Sequence, residues 1–324
     1  MRKKHNMISS IRFLITKIIL KMNYLLNNYK DVVWLIGDGR SGTTWVASII
    51  NHDNRYREMF EPFHPKLIDD MKPLLPHQYL RVDASDECIQ KISHDVFTGK
   101  FTHSRVDSQN NSLTYKGLLI KDIFANLFAF WATNNFSQLK TILLIRNPFA
   151  VALSKQKKKH WLWTNDPMEL LNQRELFEDY LHPFEDQIRE ICGKNNYILS
   201  QILIWSIINY VPLRQFNSKQ LHVVFYEDMF ASPHEELTKI LRFIDPGKLN
   251  SSLTLDSEVV DQPSRVCGDD SNILSGTSPV TTWRTELKED EIDAGMEILK
   301  IFGLEELYDE SGIPDRNVVN KFLV

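Results

Sequence analysis

The chain has 324 residues, 43% hydrophobic and 25% charged, which is enough for one large core and gives no sign of a fibrous or disordered protein. A formal net charge of -4 excludes a globally basic nucleic-acid binder, so any anion site has to be a local cluster. Cys88, Cys192 and Cys267 are odd in number and far apart, which excludes a disulfide framework and a closely spaced zinc site and suits a reducing, cytoplasmic setting.

In chain order, the first segment is basic and then rich in Ile and Leu. Arg12, Lys17 and Lys21 interrupt its apolar stretch, so nothing approaches the roughly 20 apolar residues of a spanning helix. Ile8, Ile11, Ile15, Ile18, Met22 and Leu25 recur at helical spacing and predict an amphipathic helix. It either lies on a membrane surface, a peripheral contact through residues 1–26, or packs on its own domain. The apolar runs Val32–Ile36, Gly117–Ile120, Thr141–Ile145 and Leu221–Tyr226 read as buried parallel strands. A helix-like segment follows each. The fold class expected is therefore α/β, a P-loop-type doubly wound parallel sheet flanked by helices, with ligands bound beyond the carboxyl ends of the strands. A mostly helical stretch from Lys155 to Pro212 looks like an acceptor-binding elaboration. After a helix near Glu235–Phe243, the irregular segment from Asp245 to Thr282 is long enough to be a functional loop, and a terminal helix is expected near Glu289–Phe302. The organisation is an N-terminal helix (1–30), one domain (31–310) and a tail (311–324).

After the first strand comes Gly37-Asp38-Gly39-Arg40-Ser41-Gly42-Thr43-Thr44-Trp45, a glycine-rich turn feeding a helix. Glycines let backbone N–H groups converge on an oxyanion, the helix N-terminus adds partial positive charge, and Thr43 and Thr44 add hydroxyls. Gly37 and Gly42 have Walker A spacing, but the lysine expected after the second glycine is Thr43, and the cation is Arg40. The third run ends in Arg146, where a nucleotide hydrolase would carry a magnesium-holding Asp. A cation there repels a metal and suits a metal-free phosphate. Asn147 and Pro148 make a favourable N-cap and first helical residue, and Ser154 follows.

Gly39-Arg40-Ser41-Gly42-Thr43-Thr44-Trp45 together with Arg146-Asn147-Pro148 and Ser154 resembles the sulfotransferases that use 3′-phosphoadenosine-5′-phosphosulfate (PAPS). The resemblance covers roughly residues 31–310. It implies that the first motif binds the 5′-phosphosulfate, that Arg146 and Ser154 bind the 3′-phosphate, and that Trp45 stacks near the nucleotide. Tyr226-Glu227-Asp228 resembles a motif whose tyrosine lies near the adenine, and Ser264-Arg265 would close over the donor. Taken singly, Trp45, Tyr226 and Ser154 also suit structural roles.

Sulfuryl transfer needs an in-line acceptor hydroxyl, a base for its proton, and cations for the charge developing on the leaving phosphate. Lys121, ending the second run, is similar to a family lysine that contacts the sulfuryl group. Where cytosolic members place a histidine base, this chain has Ile123. Glu61 in Phe60-Glu61-Pro62-Phe63-His64, a segment similar to one in carbohydrate sulfotransferases, is the base candidate, with a proton affinity expected to be raised by its apolar neighbours. Asp122 and His64 are the substitutes. The run Lys155, Lys157, Lys158 and Lys159 either attracts an anionic acceptor or membrane or forms a solvated helix end. The expected reaction moves a sulfuryl group from PAPS to a hydroxyl on a glycan or lipid-linked glycan, without a metal and without nucleic acid. The rivals are a P-loop kinase or NTPase and a non-catalytic nucleotide-binding scaffold.

Overall fold

The computed structural model describes residues 2–158, 163–247, 280–309 and 311–323, with side chains from Arg12 onward. Five strands form one parallel sheet in the order β2-β3-β1-β4-β5: β1 (Asp31–Gly37), β2 (Tyr56–Phe60), β3 (Gly117–Asp122), β4 (Leu139–Ile145) and β5 (Leu221–Phe225). The four apolar runs predicted as strands are β1, β3, β4 and β5. The edge strand β2 was not expected. Its sequence, Tyr-Arg-Glu-Met-Phe, breaks the apolar pattern, yet Arg57 is fully buried because Asp107 and the carbonyls of Gly99 and Phe101 take up its guanidinium. A charge that finds its partners inside can occupy a strand position that pattern reading reserves for an apolar residue.

Side chains alternate along β1 and divide the core in two. Val33 and Leu35 pack with Trp45, Val46 and Ile49 of α2 (Thr43–Ile50) and with Leu237 and Ile240 of the helix Pro233–Ile244. Val32, Trp34 and Ile36 face the larger cluster, which includes Phe63, Phe97, Phe128 and the apolar side of the helix Tyr197–Gln215. Helices thus cover both faces, as an all-parallel sheet requires. Because β1 has β3 on one side and β4 on the other, the chain departs in opposite directions from β1, and a crevice opens at its carboxyl end.

The first helix, α1 (Arg2–Leu25), leads into β1. Toward the other terminus, residues 316–322 form a helix whose Val318, Val319 and Phe322 are buried in the larger cluster. Among the described cysteines, Cys88 and Cys192 are free thiols. Residues 248–279 of the irregular segment, with Ser264, Arg265 and Cys267, and residues 159–162, with Lys159 and Trp161, lie outside the described residues.

Candidate active site

Every strand delivers a polar group to the same edge of the sheet. Read across the strand order, these are Glu61 after β2, Lys121 near the end of β3, the loop 38–42 after β1, Arg146 after β4 and Tyr226 after β5. Neighbouring strands lie about 4.8 Å apart, so Lys121 stands roughly one strand spacing from the loop and Glu61 roughly two.

The loop is shaped by backbone that glycine or close packing permits. Gly42 has φ 92°, and a Cβ there would lie 2.5 Å from the Tyr226 ring, so both its conformation and its lack of a side chain are required. Arg40 adopts φ 70°, a left-handed conformation uncommon outside glycine, with its carbonyl accepting from Arg146 Nη1 at 2.9 Å. Arg40 Nε donates to Ser154 Oγ at 3.1 Å. The structure therefore brings Arg40, Arg146 and Ser154 together although 114 positions separate the first from the last. Ser41, buried beside them, has a hydroxyl with no protein partner. Thr43 and Thr44 begin α2 and are also buried.

Arg146 lies 4.3 Å above the Tyr226 ring, and Trp45 packs against the same ring at 5.5 Å. Asn147 caps α5 (Pro148–Lys157) by accepting from Phe149 and Ala150 N–H. Its own N–H goes to Glu227 Oε1 at 2.9 Å, and Tyr308 hydroxyl reaches Glu227 Oε2 at 3.3 Å. Burial pushes Glu227 up to about 7. The helix that bears Ser154 is thus fixed at its first turn by a residue of β5's exit.

One member of the lysine run departs from both expectations, while Lys157 lies on the surface at the helix end and Lys159 is outside the described residues. Lys155 is buried, and its Nζ donates to both oxygens of Asp38, at 2.8 and 2.7 Å, tying α5 to the first residue of the loop. Burial raises Asp38 and lowers Lys155 in spite of their contact. Lys157 pairs with Glu286 on the surface.

At the β2–β3 side, Glu61 has φ 49°, and its N–H donates to the Lys121 carbonyl at 2.7 Å. Lys121 Nζ donates to Glu61 Oε1 at 2.6 Å and Arg105 Nη2 to Oε2 at 2.5 Å. The Phe60 ring lies beneath both cations, 4.5 Å from Lys121 Nζ and 4.9 Å from Arg105 Cζ. Burial pushes Glu61 up, but Lys121 and Arg105 outweigh it and hold the carboxyl below its ordinary value. This corrects the expectation of a raised proton affinity, which counted the apolar neighbours without the cations. Arg105 was missed because it lies in a loop with no motif around it. Its position becomes visible only once β2 is known to pair with β3.

The substitutes are otherwise engaged. Asp122 is fully buried, with one oxygen accepting from Phe63 N–H and the other from Phe124 N–H, both at 2.9 Å. It closes the turn that carries Glu61. His64 is buried and pushed down to about 4 by desolvation and Arg105, so it is neutral at pH 7. Its Nδ1 accepts from Lys66 N–H at 3.2 Å, which places the proton on Nε2 and makes the ring a donor there. Ile123, at the position of a histidine base in other proteins, is buried.

This edge offers an anion cradle at its centre, two arginines on one side, and a carboxylate between two cations on the other. Among the described residues no group of three or more His, Cys, Asp or Glu could hold a metal ion. The profile of one protein family, described as "Sulfotransferase domain", matches residues 30–258. No curated protein matches by sequence. Among solved structures, the chain is similar to a sulfotransferase from Alicyclobacillus acidocaldarius, with 13% identity, TM-score 0.41, and coverage of 85% of this chain and 92% of that one. It is similar to a sulfotransferase domain from the curacin biosynthetic pathway, with 15% identity, TM-score 0.43, and coverage of 84% and 97%. A mouse sulfotransferase, SULT7A1, complexed with PAP, gives 13% identity, TM-score 0.41, and coverage of 94% of each chain.

Proposed function

The chain belongs to the sulfotransferase family, and from that premise we propose that it transfers a sulfuryl group from PAPS to a hydroxyl of a glycan or lipid-linked glycan. The donor's 5′-phosphosulfate lies against the loop Gly39–Thr44, where the unpartnered Ser41 hydroxyl and the helix N-terminus suit an oxyanion. Arg146 and Ser154 receive the 3′-phosphate, and the aromatic pair Trp45 and Tyr226 receives the adenine.

The observation that carries the chemistry is the 2.6 Å contact between Lys121 Nζ and Glu61 Oε1, a cation and a proton acceptor side by side near the donor loop. Glu61 takes the acceptor's hydroxyl proton as the oxygen forms its bond to sulfur, and the sulfur–oxygen bond to the 5′-phosphate breaks, releasing 3′-phosphoadenosine-5′-phosphate (PAP). With Lys121 and Arg105 both in contact, Glu61 is a weak base. A donor sulfonate competes for Lys121, and drawing that cation away raises the proton affinity of Glu61 at the moment the acceptor needs it. Lys121 then offsets charge on the transferring group. For the acceptor, Phe60 beneath the two cations and Trp163, whose ring meets that of His64 at 4.8 Å, offer aromatic surface suited to the CH face of a sugar ring, and Arg105, partly exposed, offers donors to its oxygens. No metal enters this scheme.

The test is transfer of labelled sulfate from PAPS to a panel of glycans and lipid-linked glycans, with and without a chelator. Glu61→Gln, nearly isosteric but unable to take the proton, should lower kcat about 10²- to 10⁴-fold and leave PAP affinity nearly unchanged. Full turnover by that variant would remove Glu61 from the role, and a magnesium-restored loss in chelator would favour phosphoryl chemistry instead.

A further inference from the structure

Among the described side chains, from Arg12 onward, helix α1 is fastened to the domain along one side. Leu20 is fully buried. Asn23 Nδ2 donates to the Leu113 carbonyl at 2.9 Å, its Oδ1 accepts from Tyr115 N–H at 3.0 Å, and Tyr29 hydroxyl donates to the Leu20 carbonyl at 3.1 Å. On the other side Leu14, Ile15, Ile18, Met22, Leu25 and Leu26 are each between 54% and 68% exposed. These are six of the twelve large hydrophobic residues exposed among the described residues, concentrated within one short stretch rather than scattered as solvent-facing apolar residues ordinarily are. At about 100° per residue they span an arc of roughly 120°. Lys17 and Lys21 flank that arc on one side and Arg12 flanks it on the other.

The charge around this arc is segregated. Arg2, Lys3, Lys4, Arg12, Lys17, Lys21 and Lys30 fall in the first thirty residues, which hold no Asp or Glu, in a chain whose formal net charge is -4. An apolar stripe rimmed by cations matches a surface that is greasy beneath and negative on top. A second copy of the chain matches it poorly, because two such stripes meeting face to face would bring lysine rims against lysine rims. No helix among the described residues is long and apolar enough to cross a membrane. We propose that α1 docks the protein on an anionic lipid bilayer, lying in the headgroup plane with Ile15, Ile18, Met22 and Leu25 inserted and Lys17 and Lys21 at the phosphates. The helix joins the sheet at its amino edge, where Lys30 N–H bonds the Lys116 carbonyl just before β1 and β3, so docking does not cover the catalytic edge. This proposal does not depend on which acceptor is used.

The experiment is co-sedimentation of the full-length protein with phosphatidylcholine vesicles and with vesicles containing about 30% phosphatidylglycerol, in low and high salt. Ile15→Glu/Ile18→Glu and Lys17→Glu/Lys21→Glu are compared with the parent, and the oligomeric state of each is measured by light scattering. All four substituted side chains are exposed, so folding is expected to be unaffected. Binding should favour the anionic vesicles about 10-fold or more and weaken in salt, and each double variant should lose about 10-fold or more. Equal partition into neutral vesicles, no vesicle binding, or a dimer that Ile15→Glu/Ile18→Glu dissociates while vesicle binding is absent would each overturn the proposal.

Discussion

Lys155→Met removes one partner of a buried ion pair and leaves Asp38 stranded at the start of the donor loop. In the parent, burial displaces both groups toward their neutral forms despite mutual distances of 2.7 and 2.8 Å. Taking both ions out of water offsets much of their attraction, so the pair as a whole is expected to contribute little to stability. Losing one member is another matter, because the remaining charge keeps its desolvation and loses its attraction, a cost of about 3–5 kcal/mol. Adding Asp38→Asn removes the stranded charge while keeping an oxygen for the Gly39 N–H that now bonds Asp38, so the double variant should return to within about 1 kcal/mol of the parent or exceed it. Urea denaturation at pH 8 reads these differences. The single variant should approach the parent as pH falls, because the stranded carboxyl has a raised folded pKa and protonation relieves it. PAP affinity should stay low in the double variant, because α5 would no longer be tied to the loop. A Lys155→Met protein as stable as the parent, or a double variant no better than the single one, would refute the reasoning.

Three further outcomes follow from the same geometry. Arg146→Ala should weaken PAP binding about 10- to 100-fold, the worth of a charge-assisted hydrogen bond, and AMP binding far less; calorimetry with both ligands checks this, and equal losses would remove Arg146 from the 3′-phosphate. Arg105→Gln takes away one of the two cations that hold Glu61 down, so the acid limb of the kcat/KM profile should move to higher pH by about one unit or more, whereas a purely structural arginine would lower activity without moving the limb. Glu227, pushed up to about 7 from 4.5, binds a proton in the folded state that the unfolded chain has released. Its contribution to stability is complete below pH 4.5 and is lost as pH rises through 7, with a slope of up to about 1.4 kcal/mol per pH unit. Glu227→Gln should flatten that part of the urea-midpoint profile relative to the parent, and two superimposable profiles would contradict it.

The elements that sequence patterning exposed are those whose physics is local. Val32–Ile36 and, after Thr141, Ile142–Ile145 are unbroken apolar runs because both faces of their strands are covered, and the glycine-rich loop and the Asn147-Pro148 cap advertise themselves through conformational need. What stayed hidden depends on partners distant in sequence. Arg57 disguises β2 because its partner Asp107 lies 50 positions away. Lys155 looks like one member of a solvated run until Asp38, 117 positions earlier, is seen to hold it. The Glu61 environment was half legible: its apolar neighbours are adjacent in sequence and point one way, whereas Arg105 and Lys121, 44 and 60 positions off, reverse the sign.

Those distant partners share one purpose in the architecture. A crevice that must bind a multiply charged anion needs several cations in a small space, and cations crowded together repel one another until the anion arrives. Here each one is given a temporary or permanent counterpart: Lys155 has Asp38, Lys121 and Arg105 share Glu61, and Arg40 and Arg146 are spread over Ser154 Oγ and the Arg40 carbonyl. The counterparts differ in kind. Asp38 is fully buried with Lys155 and stays with it, which makes that pair a strut. Arg40 Nε and Arg146 Nη1 each donate to a neutral oxygen, Ser154 Oγ and the Arg40 carbonyl, a weaker acceptor than a phosphate oxygen. Glu61 is the intermediate case, a buried carboxylate shared between Lys121 and Arg105, and under the proposed mechanism it gives up Lys121 to the donor's sulfonate. On that proposal, release of the lysine on donor arrival would turn a carboxylate held below its ordinary value by two cations into a base, through groups that no single stretch of the sequence contains.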